Sequence, residues 1–270
     1  MKHYIHLITI LLFLTSFSTA IAAEDNRLLP VLVYHHIQMP VKSDVSCTPS
    51  MFEDQMIALI NAGFTPLTIP QTKSFLAGTL PETIKKPVLI TFDDGYESLY
   101  HYALPISLKY RIPMTVFVIT SRIGQKPQFS PYLKEYQIKE MHDSGLWYFG
   151  SHTHNLHTES IRIYNAFGGG KINPVLEELR DDLAVSSKCL ENITGVPTEI
   201  LAWPYGKHNI EYSIIARAVG YKMHFTSIGG FNEPNSNPYS IKRIPVSARD
   251  TSSSVVKKCR ARNTLKLINK

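Results

Sequence analysis

The chain has 270 residues, 44% of them hydrophobic and 19% charged, with 17 Pro and 14 Gly. That balance supplies a sizeable core and excludes wholesale disorder, collagen and coiled coil. The formal charge of +6 would suit a nucleic-acid ligand, but seven of the 28 Lys and Arg lie in the first 22 residues or from Thr251 onward; the body is near neutral, no nucleic-acid partner is expected, and the excess sits in a basic C-terminal tail, residues 251–270.

At the N-terminus, Lys2 and His3 precede an apolar run from Ile5 to Phe17, which closes at Ala20-Ile21-Ala22-Ala23. This is the layout of a secretory signal peptide over residues 1–22. A retained membrane anchor is the competing reading, but Thr9, Thr15, Ser16 and Ser18 interrupt a run already short for a span. The mature chain is expected to be exported, periplasmic or secreted to the cell envelope, as one domain over residues 23–250. Cys47, Cys189 and Cys259 form no C-x-x-C pair, which argues against a structural zinc site. Cys189 reads as a core residue of a helix, and a Cys47–Cys259 bond stays open.

Leu29–Tyr34 reads as a strand. Thr48-Pro49 then opens a capped helix whose Phe52, Met56, Leu59 and Ile60 share one face, with Gly63 at its end. Phe64–Ile69 is the next predicted strand, and Pro87–Phe92 is an apolar strand that stops at Asp93-Asp94-Gly95. A helix over Tyr96–Tyr110 leads to a strand at Met114–Ile119, and a helix over Pro131–Ser144 to a strand at Leu146–Phe149. A long helix over Pro174–Ile193, a strand at Ile200–Trp203, a helix over Asn209–Ala218, and strands at Tyr221–Thr226 and Tyr239–Val246 complete the pattern. The alternation predicts an α/β fold: a distorted (β/α) barrel of about seven parallel strands in a single domain, in preference to a doubly wound sheet.

Enzymes of this architecture place their chemistry where strands end. One predicted strand ends in Asp93-Asp94, whose side chains alternate and can serve two different tasks. Another leads to Ser151-His152-Thr153-His154-Asn155-Leu156-His157, three His in six residues. Neutral imidazole is a common ligand for zinc-like metals, and two His plus a carboxylate leave open positions for catalysis. A third strand leads to Pro204-Tyr205-Gly206, and the first to His35-His36. His36 alternates away from His35, and His224 reads as a strand histidine. Gly168-Gly169-Gly170-Lys171 lacks the spacing of a phosphate loop, and Thr158–Asn173 reads as a mobile loop beside the His cluster.

Thr91-Phe92-Asp93-Asp94-Gly95-Tyr96 resembles the first motif of the polysaccharide deacetylases with a NodB-homology domain. Ser151 to His157 resembles their second, which supplies two metal-binding histidines, usually at i and i+4. Here the residue at i+4 from His152 is Leu156, so the resemblance places the second ligand at His157. The wider spacing and Val33-Tyr34-His35 are similar to the branch acting on poly-β-1,6-N-acetyl-D-glucosamine. Pro204-Tyr205-Gly206 resembles the third motif, and Arg243-Ile244-Pro245-Val246 a C-terminal element. The resemblance spans about Leu29 to Val246.

It implies a metal-dependent hydrolase that removes N-acetyl groups from an exported N-acetylglucosamine polymer. Asp94, His152 and His157 would hold one divalent metal ion, zinc foremost, with nickel, cobalt or iron also suited to the donors. Asp93 would be the general base, His35 the general acid, and Tyr96, Trp203, Pro204 and Tyr205 would bind substrate. His154 is expected to point away. The family's third motif usually begins with an Arg that orients the base; Ala202 stands there instead. Arg243, flanked by apolar residues, needs a carboxylate partner and is expected to pair with Asp93. Chitin oligomers, peptidoglycan and small acyl esters are competing substrates, and a carbohydrate-binding homologue without catalysis is the competing class. The protein is expected to be a monomer whose basic tail touches an anionic envelope surface.

Overall fold

The computed structural model describes residues 25–128, 130–157 and 174–260. The proposed signal peptide, the loop read over Thr158–Asn173 and the last ten residues of the basic tail lie outside the described residues. The strands are β1 (Leu29–Tyr34), β2 (His36–Ile37), β3 (Ser46–Cys47), β4 (Thr65–Pro66), β5 (Pro87–Phe92), β6 (Met114–Val118), β7 (Trp147–Ser151), β8 (Ile200–Ala202), β9 (Met223–Phe225), β10 (Phe231–Asn232) and β11 (Ile244–Pro245). The helices are α1 (Pro49–Asn61), α2 (Ile69–Leu76), α3 (Leu104–Tyr110), α4 (Glu135–Asp143), α5 (Pro174–Thr194), α6 (Ile210–Val219) and α7 (Ser252–Lys258).

β1, β5 and β6 are buried at every position, as strands covered on both faces must be, and their continuous apolar runs reflect it. The main sheet runs β10-β1-β5-β6-β7-β8-β9 and is parallel except for β10. Its two ends approach each other through the C-terminal segment. Ile241 bridges Phe225 of β9, and three residues later β11 pairs in parallel with Leu32 and Val33 of β1. The sheet therefore curls into the expected distorted barrel. Gly150 on β7 lets the wall bend tightly, since a Cβ there would lie 2.6 Å from Ile200 and 2.7 Å from Phe117.

Several boundaries differ from the sequence reading, each for a local reason. The strand expected over Phe64–Ile69 pairs only at Thr65–Pro66, and Ile69 instead opens α2, with a capping box between Thr68 and Gln71 and Pro70 in the first turn. The helix expected from Tyr96 begins at Leu99, with a π-helical turn over Leu99–Ala103 running into α3, because Tyr96 forms a bridge with Tyr132. The same bridge delays α4 to Glu135. The strand expected over Tyr239–Val246 is reduced to the Ile241 bridge and β11, as the segment crosses from one neighbour strand to another. The first part of the basic tail is α7, which packs on α1 with Val255 buried, while Lys258 pairs with Asp250. Cys47 and Cys259 are buried free thiols, and burial pushes each up to about 12. Among the described residues no helix is long and apolar enough to cross a membrane.

Candidate active site

The C-terminal ends of β1, β5, β7, β8 and β9 open onto one cleft of about 650 Å³, lined by His35, Asp93, Asp94, Tyr96, Arg122, His152, His157, Trp203, Tyr205 and Arg243 among others. The consecutive aspartates are parted by backbone geometry. The Asp93 N–H still donates to the Tyr34 carbonyl at 3.0 Å, extending the β1–β5 ladder. Asp94 then takes a left-handed φ of 73° and Gly95 one of 81°. The chain reverses at that point, and the two carboxylates face different partners.

Asp93 faces a cation. Arg243 donates from Nη1 to Oδ1 at 2.7 Å and from Nη2 to Oδ2 at 2.8 Å, while its Nε donates to the Thr226 carbonyl at 2.9 Å. Both residues are 4% exposed. Burial pushes the Asp93 carboxyl up, but the Arg243 charge and then His152 outweigh it and hold the group below the usual carboxylate range. The expected pairing of Arg243 with Asp93 is thus present. Arg243 reaches Asp93 from the segment that closes the barrel, while Ala202, buried on β8, offers only its carbonyl to the site.

Asp94 faces imidazoles. Its Oδ1 lies 3.7 Å from His152 Nε2 and 3.3 Å from His157 Nε2, and one ligand atom from each of the three residues falls within 4.8 Å of the others. His152 Nδ1 is 2.7 Å from the Ala202 carbonyl. A carbonyl only accepts, so Nδ1 carries the proton and Nε2 presents a lone pair to the cluster. Burial favours the neutral ring and pushes the His152 pKa down. Burial pushes the Asp94 carboxyl up, but His157 and His152 hold it well below the usual range. A buried lone pair, a carboxylate and a second imidazole converging on one point suit a divalent cation.

The remaining histidines are placed elsewhere. His154 turns outward, with Nδ1 3.0 Å from the Thr120 hydroxyl. His36 lies between Ser98 and Ser130 against the Tyr96 ring. His224 is buried between Trp203 and Tyr239, and burial pushes its pKa down to about 4. His35 lines the cleft, and its Nδ1 is buried with no hydrogen-bond partner among the described residues.

Pro204, Tyr205 and Gly206 form a tight turn after β8. Tyr205 has φ 53° and Gly206 φ 67°, and a Cβ on Gly206 would sit 1.8 Å from the Ser227 hydroxyl oxygen. The turn leaves Tyr205 51% exposed with its ring 4.9 Å from that of His157, whereas Trp203 is 1% exposed and stacks on His208. Two residues escaped the sequence reading. Arg122 lines the cleft and donates to the Tyr132 hydroxyl at 2.6 Å, beside the Tyr96–Tyr132 ring stack; it carried no sequence signal. Asp182 binds the backbone of the His loop. Its signal was a charge on the apolar face of α5, in line with Leu179, Leu183, Ser186 and Leu190.

Comparison with known proteins identifies the family. The model of the polysaccharide deacetylase family matches residues 81–224, a stretch that holds both aspartates and all residues of the His loop. A poly-beta-1,6-N-acetyl-D-glucosamine N-deacetylase of Staphylococcus aureus is 33% identical over 207 residues, covering 75% of this chain and 68% of the relative. The structure of IcaB from Ammonifex degensii is similar with a TM-score of 0.75 at 30% identity, covering 88% of this chain and 99% of that one. The BpsB deacetylase domain from Bordetella bronchiseptica gives a TM-score of 0.67 at 26% identity, covering 83% and 97%. With the family matched over more than half of its length, this chain belongs to the polysaccharide deacetylases, hydrolases that act on carbon–nitrogen bonds.

Proposed function

We propose that the chain hydrolyses N-acetyl groups of poly-β-1,6-N-acetyl-D-glucosamine outside the cytoplasm, using one divalent metal ion. The observation that carries the reading is the convergence of Asp94, His152 and His157 beside an arginine-clamped Asp93 in one open cleft. The likeness to a poly-beta-1,6-N-acetyl-D-glucosamine N-deacetylase supports the polymer, and the leader at residues 1–22 supports export. Asp94, His152 and His157 would hold a divalent ion, zinc foremost with nickel, cobalt and iron also suited, and such an ion would supply a water of lowered pKa and a Lewis acid for an acyl oxygen.

The chain's own residues do the rest. Asp93, kept ionised by Arg243, takes the proton of the attacking water. The bidentate clamp also fixes the direction of its lone pairs, so the base needs no reorientation during the reaction. His35 gives a proton to the amine nitrogen as the carbon–nitrogen bond breaks. A backbone N–H near Tyr205 supports the developing oxyanion. Tyr96, Trp203 and Tyr205, which line the cleft, contact the sugar, while Pro204 is buried beneath the turn and shapes it rather than lining the cleft. The protein acts as a monomer, with its basic tail, residues 251–270, against an anionic envelope surface.

Acetate release from β-1,6 and β-1,4 N-acetylglucosamine oligomers, with chelator and after adding back zinc, nickel or cobalt, tests this. Release from the β-1,6 oligomer that chelator stops and metal restores is expected. Release only from β-1,4 oligomers would move the substrate to chitin or peptidoglycan, and release only from O-acetyl esters would make the protein an esterase. Activity indifferent to chelator would overturn the metal assignment.

A further inference from the structure

The second ligand histidine comes five residues after the first, and the loop between them is held from outside. Asp182, on α5 and 9% exposed, accepts the His154 N–H on Oδ1 at 2.7 Å and the Asn155 N–H on Oδ2 at 2.6 Å. One turn further along the same face of α5, Ser186 is fully buried and its hydroxyl lies 2.7 Å from that of Ser151, which accepts the Thr153 N–H at 3.0 Å. Two successive N–H groups therefore bond directly to α5, and that of Thr153 reaches it only through the Ser151 hydroxyl. The carbonyls of the same stretch face the other way, where Thr120 N–H donates to Thr153 at 3.2 Å and Ser121 N–H to His154 at 3.1 Å. Thr153 has φ 69°, a conformation a non-glycine residue holds only when its surroundings demand it.

We infer that Asp182, assisted by Ser186, is a positioning residue for the metal site: it fixes the loop path that brings His157 back to His152 across the wide spacing. This inference rests on the metal assignment above. In a wider loop the second imidazole is less constrained by chain geometry alone, so its entropy must be removed by other bonds. A carboxylate taking two charge-assisted N–H bonds does this strongly. Asp182 touches neither ligand side chain; it acts through the backbone between them. Groups of this kind commonly change metal affinity about 10–100-fold when altered.

The test uses Asp182→Asn, which keeps the shape but replaces one acceptor by a donor facing an N–H, and Ser186→Ala as a milder variant. Asp181→Asn, exposed on the same helix, is the control. Two readouts are taken on the full chain: zinc affinity by competition with a chromogenic chelator, and amide hydrogen exchange of the metal-free protein. Expected are a zinc Kd raised about 10–100-fold in Asp182→Asn, a smaller rise in Ser186→Ala and none in Asp181→Asn. Faster exchange should appear at residues 154 and 155, with α5 and the barrel strands still protected. Zinc affinity within twofold of the parent together with a protected loop would overturn the inference. Loss of protection throughout the domain would also overturn it, because Asp182 would then hold up the fold rather than the loop. If the parent binds no zinc, the metal assignment fails on its own, and the exchange pattern at 154 and 155 still decides whether Asp182 fixes the loop.

Discussion

Asp93 and Asp94 are neighbours in sequence and opposites in environment. Asp93 has its charge balanced inside the protein by two N–H bonds from Arg243, whereas Asp94 has beside it two imidazoles, one of which must present a lone pair. One carboxylate is complete without a ligand; the other belongs to a set of acceptors that a cation completes. A single left-handed residue after a strand is enough to create this division. Two acids side by side can therefore be assigned different tasks from what each of them faces.

Removing ligands should break the contrast most severely. Asp94→Asn, His152→Ala or His157→Ala is expected to lose bound metal, measured by elemental analysis, and to leave no more acetate release than the chelated parent. His154→Ala should keep both, and loss of metal there would reverse the assignment of the second histidine.

On the other side of the division, Asp93→Asn should keep its metal and lose turnover by roughly 100- to 10,000-fold, the scale of general acid–base groups. Metal loss equal to that of Asp94→Asn would mean the two roles are exchanged.

Arg243→Met probes what sets Asp93 apart. Metal content should be retained and turnover should fall, and the acidic limb of the pH–rate profile should move upward, because burial then raises the carboxyl with only the weaker influence of His152 and His35 against it. Stability should follow the same sign. In the parent, the depressed pKa contributes stability that is full above the unfolded carboxyl value, about 3.9, and is lost as pH falls through the folded value. Without the arginine, about 3–5 kcal/mol should be lost at neutral pH from the unpaired charge, and part of it should return on acidification. Denaturant unfolding across pH measures this, and the double variant Asp93→Asn/Arg243→Met should be more stable than Arg243→Met alone. An acidic limb that stays in place would detach Arg243 from the base.

The smallest effect expected is substrate-dependent. His35→Ala should keep metal and fold and slow amide hydrolysis, yet act much less on an activated ester, whose leaving group needs no proton. Equal losses on both would remove His35 from the acid role.

The barrel and the ends of its main strands were legible because the information is contiguous. Pro87–Phe92 is an unbroken apolar run that stops at its acids, and the His loop follows β7 directly. Arg243 was legible for an energetic reason, since a guanidinium among apolar residues requires a partner. What was missed depends on long-range geometry. Asp182 meets a backbone 27 and 28 residues away, and its adjacency to the exposed Asp181 disguised it as surface charge. Arg122 enters the cleft from a turn whose direction only the folded sheet defines. α2 was missed for a local reason, because Thr68 and Gln71 reciprocate a cap that the apolar run Phe64–Ile69 concealed.

The segment that closes the barrel also ties the two ends of the chain together electrostatically. Asp93 and its arginine are 150 residues apart, and the metal ligands are all upstream of the segment that carries Arg243. With residues 241–245 undocked from β9 and β1, Asp93 would lose its counter-charge, a costly arrangement wherever the carboxylate stays buried. Docking of that last segment therefore both seals the wall and brings Arg243 to Asp93. A chain ending before Arg243 would keep Asp94, His152 and His157 but leave Asp93 without its arginine.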